Sequence, residues 1–363
     1  MKRIVIDARE SGTTTGRYID KLIEYLHKLP TKHEIILLAK SHRVAFFKEL
    51  TPGFTVRETP YQEFSFGEQI GFRKQINSLQ ADLVFFPMVQ QPVWYKGKVV
   101  TTMQDLTGIR FRNPYKNWLV FTIKLWVYKW VNKRVAKKSL HLITPTDFVK
   151  RDVADYCHVP LRKITVTYES ADKIIDPAEP INSLVGKDFL LAVGRPSANK
   201  NLPRLVDAFA VLKKKNPRLK LVFAGKLNPA YEQLREYAAT KSDDIIFTDF
   251  VSEGQLRWLY ENAKVYVFPS LSEGFGLPGL EAMQYGLPVA SSNATCLPEV
   301  YKNAAHYFNP FSPSHMAAKI QQILDDRQLA NKLTNNGRAL LKTYSWQRMA
   351  EQTLTVFEAA LKK

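Results

Sequence analysis

The chain has 363 residues, 45% of them hydrophobic and 24% charged, and its 52 Lys and Arg against 34 Asp and Glu give a net charge of +18. That length exceeds one ordinary core and predicts two domains, while the composition excludes a disordered or fibrous chain. Two cysteines, Cys157 and Cys296, exclude a disulfide framework and point to a reducing, cytoplasmic setting.

In chain order, the first apolar run, Ile4 to Ile6, ends at Asp7, too early for a signal peptide, and reads as a buried strand. It feeds the loop DARESGTTTGRYIDKL (7–22), where Gly12 and Gly16 bracket three threonines ahead of a helix with Ile19, Leu22, Ile23 and Leu26 on one face. Glycines entering a helix N-terminus let backbone N–H groups approach an anion, and a plain tight turn explains them equally well. Strands follow at 34–39, 82–87, 98–103 and 140–145.

Between Leu106 and Thr146 lie nine Lys and Arg and no Asp or Glu, so half the excess charge occupies about a ninth of the chain. Such a patch suits nucleic acid, acidic lipid or a phosphorylated substrate. No nucleic-acid recognition motif accompanies it, which sets nucleic acid aside. Inside it, Trp118 to Val131 is a nearly continuous apolar run with three tryptophans, too short to span a bilayer and carrying Lys124 and Lys129. Two readings stay open. The segment is a helix lying on an anionic membrane surface through the cations of 110–138, or a core helix with a solvated basic edge.

The stretch SADKIIDPAEPINSLVGKD (170–188) interrupts the pattern, which places a linker at 173–187 between domains 1–172 and 188–345. Strands resume at 189–194, 219–225, 244–250, 264–270 and 287–292, and the helical pattern 346–363 closes the chain and is expected to pack back on the first domain. Near-continuous apolar strands alternating with helices mark the α/β class, here two doubly wound parallel sheets in series. Ligands of such sheets bind beyond the carboxyl ends of the strands, so the loops just after strands carry the candidate residues.

Two of those loops stand out. GRPSANKNLPRLVDAF, after the strand at 189–194, places Arg195 and Lys200 just ahead of a helix bearing Leu202, Leu205, Val206 and Phe209. A guanidinium fork beside a mobile ammonium suits two neighbouring phosphates. After the strand at 264–270, the segment PSLSEGFGLPGLEAM (269–283) carries Glu273 and Glu281 eight positions apart, with three glycines, a proline and no cation between them. Pro278 suits the first helical position, and Gly286 suits the position that ends the helix. Glu273 then lies in the loop and Glu281 near the first turn, so both can address one ligand whose phosphates sit at the helix N-terminus. A carboxylate accepts two hydrogen bonds, which matches vicinal hydroxyls of a sugar.

The segment EGFGLPGLEAMQYGLPVASSNATCLPEV resembles the signature of the retaining glycosyltransferases of family 4, in which two glutamates at this spacing frame the donor site. The resemblance runs along nearly the whole chain, through DAR and GRYI, FGEQ, DLVFFP, GRPSANKNL, LRWLYENAKVYVFPS and the late YSW. It implies the GT-B fold, two Rossmann-like domains facing across a cleft, and hexosyl transfer from a nucleotide sugar (GDP- or UDP-linked, with mannosyl favoured) to a glycan or lipid-linked acceptor, at the inner face of the cell membrane. It further implies that Arg195 and Lys200 bind the leaving diphosphate, that Glu281 holds the ribose and that Glu273 holds a donor-sugar hydroxyl. Backbone groups of Phe275, Gly276 and Leu277 would contact sugar and phosphates, and Phe250 and Val251 the base, with Asp249 standing where the family has glycine. Gly16 belongs to the same donor contacts, in a loop that supplies the acceptor side. No metal and no cofactor besides the donor is expected. Where the family has His-Asp this chain has Gln104-Asp105, and a glutamine at the reacting face donates hydrogen bonds but takes no proton. That departure keeps open a weakened nucleotide-sugar-binding subunit, alongside a soluble transferase for a small sugar.

Overall fold

The computed structural model describes residues 1–13, 16–111 and 118–363. Thr14 and Thr15 of the threonine loop, and Arg112 and Lys116 of the basic segment, lie outside the described residues. The chain divides into two compact units, one made of Met1–Ile109, Leu119–Glu169 and Ser345–Lys363 and the other of Ser170–Tyr344 together with the described Arg110, Phe111 and Trp118.

The first unit holds β1 (Arg3–Asp7), β2 (Glu34–Ala39), β3 (Thr55–Glu58), β4 (Leu83–Phe86), β5 (Val99–Thr102), β6 (His141–Thr144) and β7 (Ile164–Val166). They form one all-parallel sheet in the order β3-β2-β1-β4-β5-β6-β7. The inner strands β1, β2 and β4 are buried on both faces, which is why their sequences are nearly continuous apolar runs rather than alternations. Val5, Val84 and Phe86 join Ile36, Phe72 and Ile76 in one cluster. On a neighbouring strand position Phe85 packs its ring 5.0 Å from Phe357 of the helix Trp346–Lys362. The helix Arg17–His27 buries the expected Ile19, Leu22, Ile23 and Leu26.

The second unit holds β8 (Phe189–Val193), β9 (Lys220–Ala224), β10 (Ile245–Phe247), β11 (Val265–Phe268), β12 (Val289–Ser292) and β13 (Ala305–Phe308), all parallel and ordered β10-β9-β8-β11-β12-β13. Its core brings Leu205, Val206 and Phe209 of the helix Leu202–Lys213 against Phe223, Val267 and Ile320. In each sheet the strand order reverses once, between β1 and β4 and between β8 and β11. There the loops leaving adjacent strands diverge and leave a crevice at the carboxyl ends.

All the strands read from sequence are present, and three were not foreseen. β3, β7 and β13 each close an edge of a sheet, where one side of the strand meets solvent and the apolar run shortens. The segment read as a linker is fastened to the second unit. Glu179 N–H donates to Gly254 O at 3.0 Å, Arg257 donates to Asp176 O at 3.1 Å, and Ile174 N–H donates to the Tyr285 hydroxyl at 2.7 Å. Among the described residues no helix is long and apolar enough to cross a membrane.

Candidate donor and acceptor sites

The reversal between β8 and β11 brings together two loops that are about seventy residues apart in sequence. Gly194, at a φ of +132°, turns the chain out of β8, and Arg195 follows it at the surface. Lys200 ends a short turn, Ala198–Lys200, ahead of the helix Leu202–Lys213. Asparagines fasten this loop to the one after β11. Leu271 N–H donates to Asn199 O at 2.7 Å, Asn199 Nδ2 donates to Ser272 O at 3.0 Å, and Asn201 Nδ2 donates to Pro269 O at 3.0 Å and Pro310 O at 2.8 Å. An asparagine just before a helix ordinarily caps it, but Asn201 sits in the left-handed region and spends its amide across the loops.

Glu273 therefore has a cationic partner that its own segment does not supply. Lys200 Nζ lies 2.7 Å from Glu273 Oε1 and 5.1 Å above the Phe268 ring. Beneath the pair is a narrow crevice lined by Gly194, Arg195, Lys200, Tyr231, Phe268 and Ser270. The Ser270 hydroxyl is buried there with no hydrogen-bond partner, the state of a group that a ligand can satisfy.

The Glu273 loop is held from below by the chain after β12. Glu273 N–H donates to Thr295 Oγ1 at 3.2 Å, and the Cys296 thiol donates to Glu273 O at 3.2 Å. Burial keeps that thiol well above its ordinary pKa, so it stays a neutral donor. The Tyr301 hydroxyl donates to Gly276 O. Gly276 has a φ of +100°, and a Cβ there would lie 2.6 Å from the Tyr301 hydroxyl oxygen; at Gly279 the distance would be 2.4 Å. Two of the three glycines thus exist to let this turn sit on Tyr301. The helix runs Leu277–Gln284, beginning one residue before Pro278; Pro278 carries no N–H and the Gly279 N–H donates to Gly276 O at 3.2 Å, so Leu277 supplies the first helical N–H without an intrahelical acceptor. Phe275 is buried against Tyr344 with ring centroids 5.5 Å apart, and its carbonyl accepts from the Cys296 thiol at 3.6 Å.

Glu281 is half-buried on the same helix, and its Oε2 accepts from the Tyr260 hydroxyl at 3.0 Å. Tyr260 lies flat on Tyr285, with centroids 5.6 Å apart and planes at 6°. Beyond β10, Asp249 takes a φ of +61°, the conformation that favours glycine, and its carboxylate accepts from Leu227 N–H at 2.7 Å. Phe250 next to it is exposed and Val251 half-buried.

In the first unit, Gly16 begins the helix Arg17–His27, and a Cβ there would fall 1.9 Å from Glu10 O, so only glycine fits against that carbonyl. Behind it Arg9, almost wholly buried, grips Asp7 through two hydrogen bonds of 2.9 and 2.7 Å and reaches Glu68 at 2.8 Å. Past β5, Gln104 has its amide nitrogen buried with no partner, and Asp105 accepts from Thr107 N–H at 2.9 Å. Sequence reasoning did not find Asn199, Asn201, Tyr260 or the Thr295–Tyr301 support. The first two were visible as asparagines flanking Lys200; the others act through contacts that no local spacing encodes. Among the described residues no group of three or more His, Cys, Asp or Glu is placed to hold a metal ion.

Residues 15–172 match the family described as Glycosyltransferase Family 4, and residues 177–340 match Glycosyl transferases group 1. The chain is 29% identical over 245 residues to the O-antigen chain mannosyltransferase B of Escherichia coli, covering 62% of this chain and 64% of that protein. It is 34% identical over 197 residues to the serotype-specific mannosyltransferase WbdA of Escherichia coli, covering 51% of this chain and 24% of that one. The fold is like that of Anabaena HepE in complex with UDP and glucose, with a TM-score of 0.76, 15% identity, and coverage of 99% of this chain and 100% of the other.

Proposed function

We propose that this chain, which belongs to glycosyltransferase family 4, moves a hexosyl group from a nucleotide sugar to a glycan or lipid-linked acceptor in cell-envelope polysaccharide synthesis. The observation that carries this reading is the Lys200–Glu273 pair, set at the loop that opens the helix Leu277–Gln284, with Glu281 on that helix. A nucleoside diphosphate needs cations and unpaired N–H groups for its phosphates and a carboxylate for its ribose, and a sugar needs an acceptor for a hydroxyl.

In this reading the diphosphate lies on the helix N-terminus with Arg195 and Lys200, which carry the charge that develops as it leaves; no metal is required of that step. Glu281 holds the ribose hydroxyls, Glu273 a hydroxyl of the transferred sugar, and the backbone at Phe250 and Val251 the base. The loop around Gly16 serves the acceptor. The acceptor oxygen bonds to the anomeric carbon on the face from which the diphosphate departs, and its proton passes to the departing phosphate oxygen, so configuration is retained. Gln104 then donates its otherwise unpartnered amide to the transferred sugar. The names of the two mannosyltransferases favour a mannosyl donor. The basic segment 110–138 suits an acceptor held at an anionic membrane surface.

A thermal-shift series against GDP-, UDP- and ADP-sugars tests the donor assignment, because a ligand at 100 times its dissociation constant adds about 2.7 kcal/mol. One class is expected to raise the melting temperature, and the shift is expected to disappear in Lys200→Ala. No shift with any of them would overturn the reading. Gln104→Ala is expected to lower turnover while leaving nucleoside diphosphate affinity intact.

A further inference from the structure

The helix Trp118–Lys138 presents two apolar faces. Asn132, Val135 and Ala136 face the core of the first unit, and Tyr128 lies half-buried beside them. Ile123, Trp126, Val127 and Trp130 repeat the same i, i+3, i+4, i+7 spacing on the other side, yet all four are exposed, Trp126 by 70%. A stripe with the periodicity of a core contact has been turned outward.

Two other segments enlarge it. Trp94, between β4 and β5, meets Trp130 with ring centroids 6.5 Å apart. Its connection is fastened to the helix by Lys138 Nζ, which donates to Pro92 O at 2.8 Å. Phe64, beyond β3, meets Tyr128 at 6.0 Å, and the same segment carries the exposed Ile70 and Phe66, the latter 89% exposed. The charges are of one sign. Lys124, Lys129, Arg134 and Lys137 are exposed along the helix, and no acid lies between 106 and 146. The acids of the neighbouring segment are engaged, Glu63 with Lys40 and Glu68 with Arg9.

We propose that this composite surface, and not the helix alone, docks the chain on an anionic phospholipid bilayer. Phe66, Trp94 and Trp126 enter the boundary between headgroups and acyl chains, and the helix cations meet the phosphates. The proposal rests on the membrane-held acceptor read above. Exposed aromatic and aliphatic side chains ringed by Lys and Arg match that boundary in polarity and sign. A second copy of the chain fits less well, because it would set the same cationic patch against itself in a protein of net charge +18.

The test is flotation of the full chain with phosphatidylglycerol–phosphatidylcholine vesicles and with phosphatidylcholine vesicles, at low and high salt. The wild type is expected to float with the anionic vesicles only, less at high salt. The pair Phe66→Ala and Trp94→Ala, both off the helix, is expected to weaken flotation about tenfold or more, from the burial lost at two large rings. Lys129→Glu with Lys137→Glu is expected to weaken it too. Melting temperature and its shift with the donor nucleotide should stay unchanged in both variants, since none of these residues belongs to the donor site. Wild-type flotation by the Phe66 and Trp94 variant would confine the contact to the helix and overturn the composite surface while leaving the basic segment in place. Failure of the wild type to float, with the donor shift intact, would overturn membrane docking without touching the transferase reading. A dimer in sedimentation that Trp126→Glu dissociates, with no flotation, would assign the surface to a second copy.

Discussion

Glu281 does not stand alone beneath the ribose it is proposed to hold. Tyr260 donates to its Oε2 at 3.0 Å and is itself fixed by stacking on Tyr285, so the carboxylate is turned before it binds. A hydrogen bond to a charged group contributes about 1.5–3 kcal/mol. Tyr260→Phe keeps the ring and the stack and loses that bond. We expect nucleoside diphosphate affinity to fall about tenfold by calorimetry, with turnover nearly unchanged and hexose 1-phosphate affinity unaltered. Equal losses for both ligands would show a general disturbance of the loop rather than a ribose contact. The spacing of Glu273 and Glu281 was legible in the sequence, and so were Arg195 and Lys200 as separate features. Their pairing was not, because Lys200 reaches Glu273 only through the adjacency of β8 and β11.

Glu169 lies almost wholly buried past the end of β7. Burial pushes its carboxyl from an ordinary value of 4.5 up to about 7, with Arg17 opposing the rise. The folded chain thus holds a proton that the unfolded chain releases first. Its contribution is complete below 4.5, and stability falls as pH rises from there to about 7, by on the order of 3 kcal/mol. Glu169→Gln keeps a neutral side chain at every pH. Urea unfolding should find it close to the wild type at pH 4 and more stable at pH 8; a constant difference at both values would contradict the burial argument.

Among the elements, the central strands were readable because burial on both faces leaves only apolar, β-branched and aromatic residues in them, as in Ile4 to Ile6 and Leu83–Phe86. The edge strands were not, since Thr55–Glu58 alternates with solvent-facing polar residues. The helix Trp118–Lys138 defied a single reading for the opposite reason. It is apolar on two sides, so its sequence does not say which one is covered. The helix Trp346–Lys362 shows how far an element can act from its neighbours in sequence, because it completes the first unit with Val356 and Phe357. Phe357→Ala removes the ring packed on Phe85. A loss of about 3–5 kcal/mol is expected in urea unfolding, with donor-nucleotide binding retained where the first unit remains folded. A loss below 1 kcal/mol would mean that the site collapses around the cavity.

For the whole molecule, the proposed transfer of a sugar from an anionic donor to an acceptor at an anionic surface rests on two doubly wound sheets, family matches across both units and a net charge of +18. Strand alternation alone made the doubly wound class legible, whereas the strand orders that create the two crevices are properties of the folded sheets. The direct test is transfer itself. The wild-type chain is incubated with a nucleotide sugar, labelled in the sugar, that raises its melting temperature, together with lipid-linked acceptors extracted from the cell envelope. Label is expected in the lipid fraction, with one nucleoside diphosphate released for each sugar moved and the donor's anomeric configuration kept in the product. Tight donor binding with neither nucleoside diphosphate release nor labelled lipid would contradict the transferase reading and leave a nucleotide-sugar-binding subunit in its place.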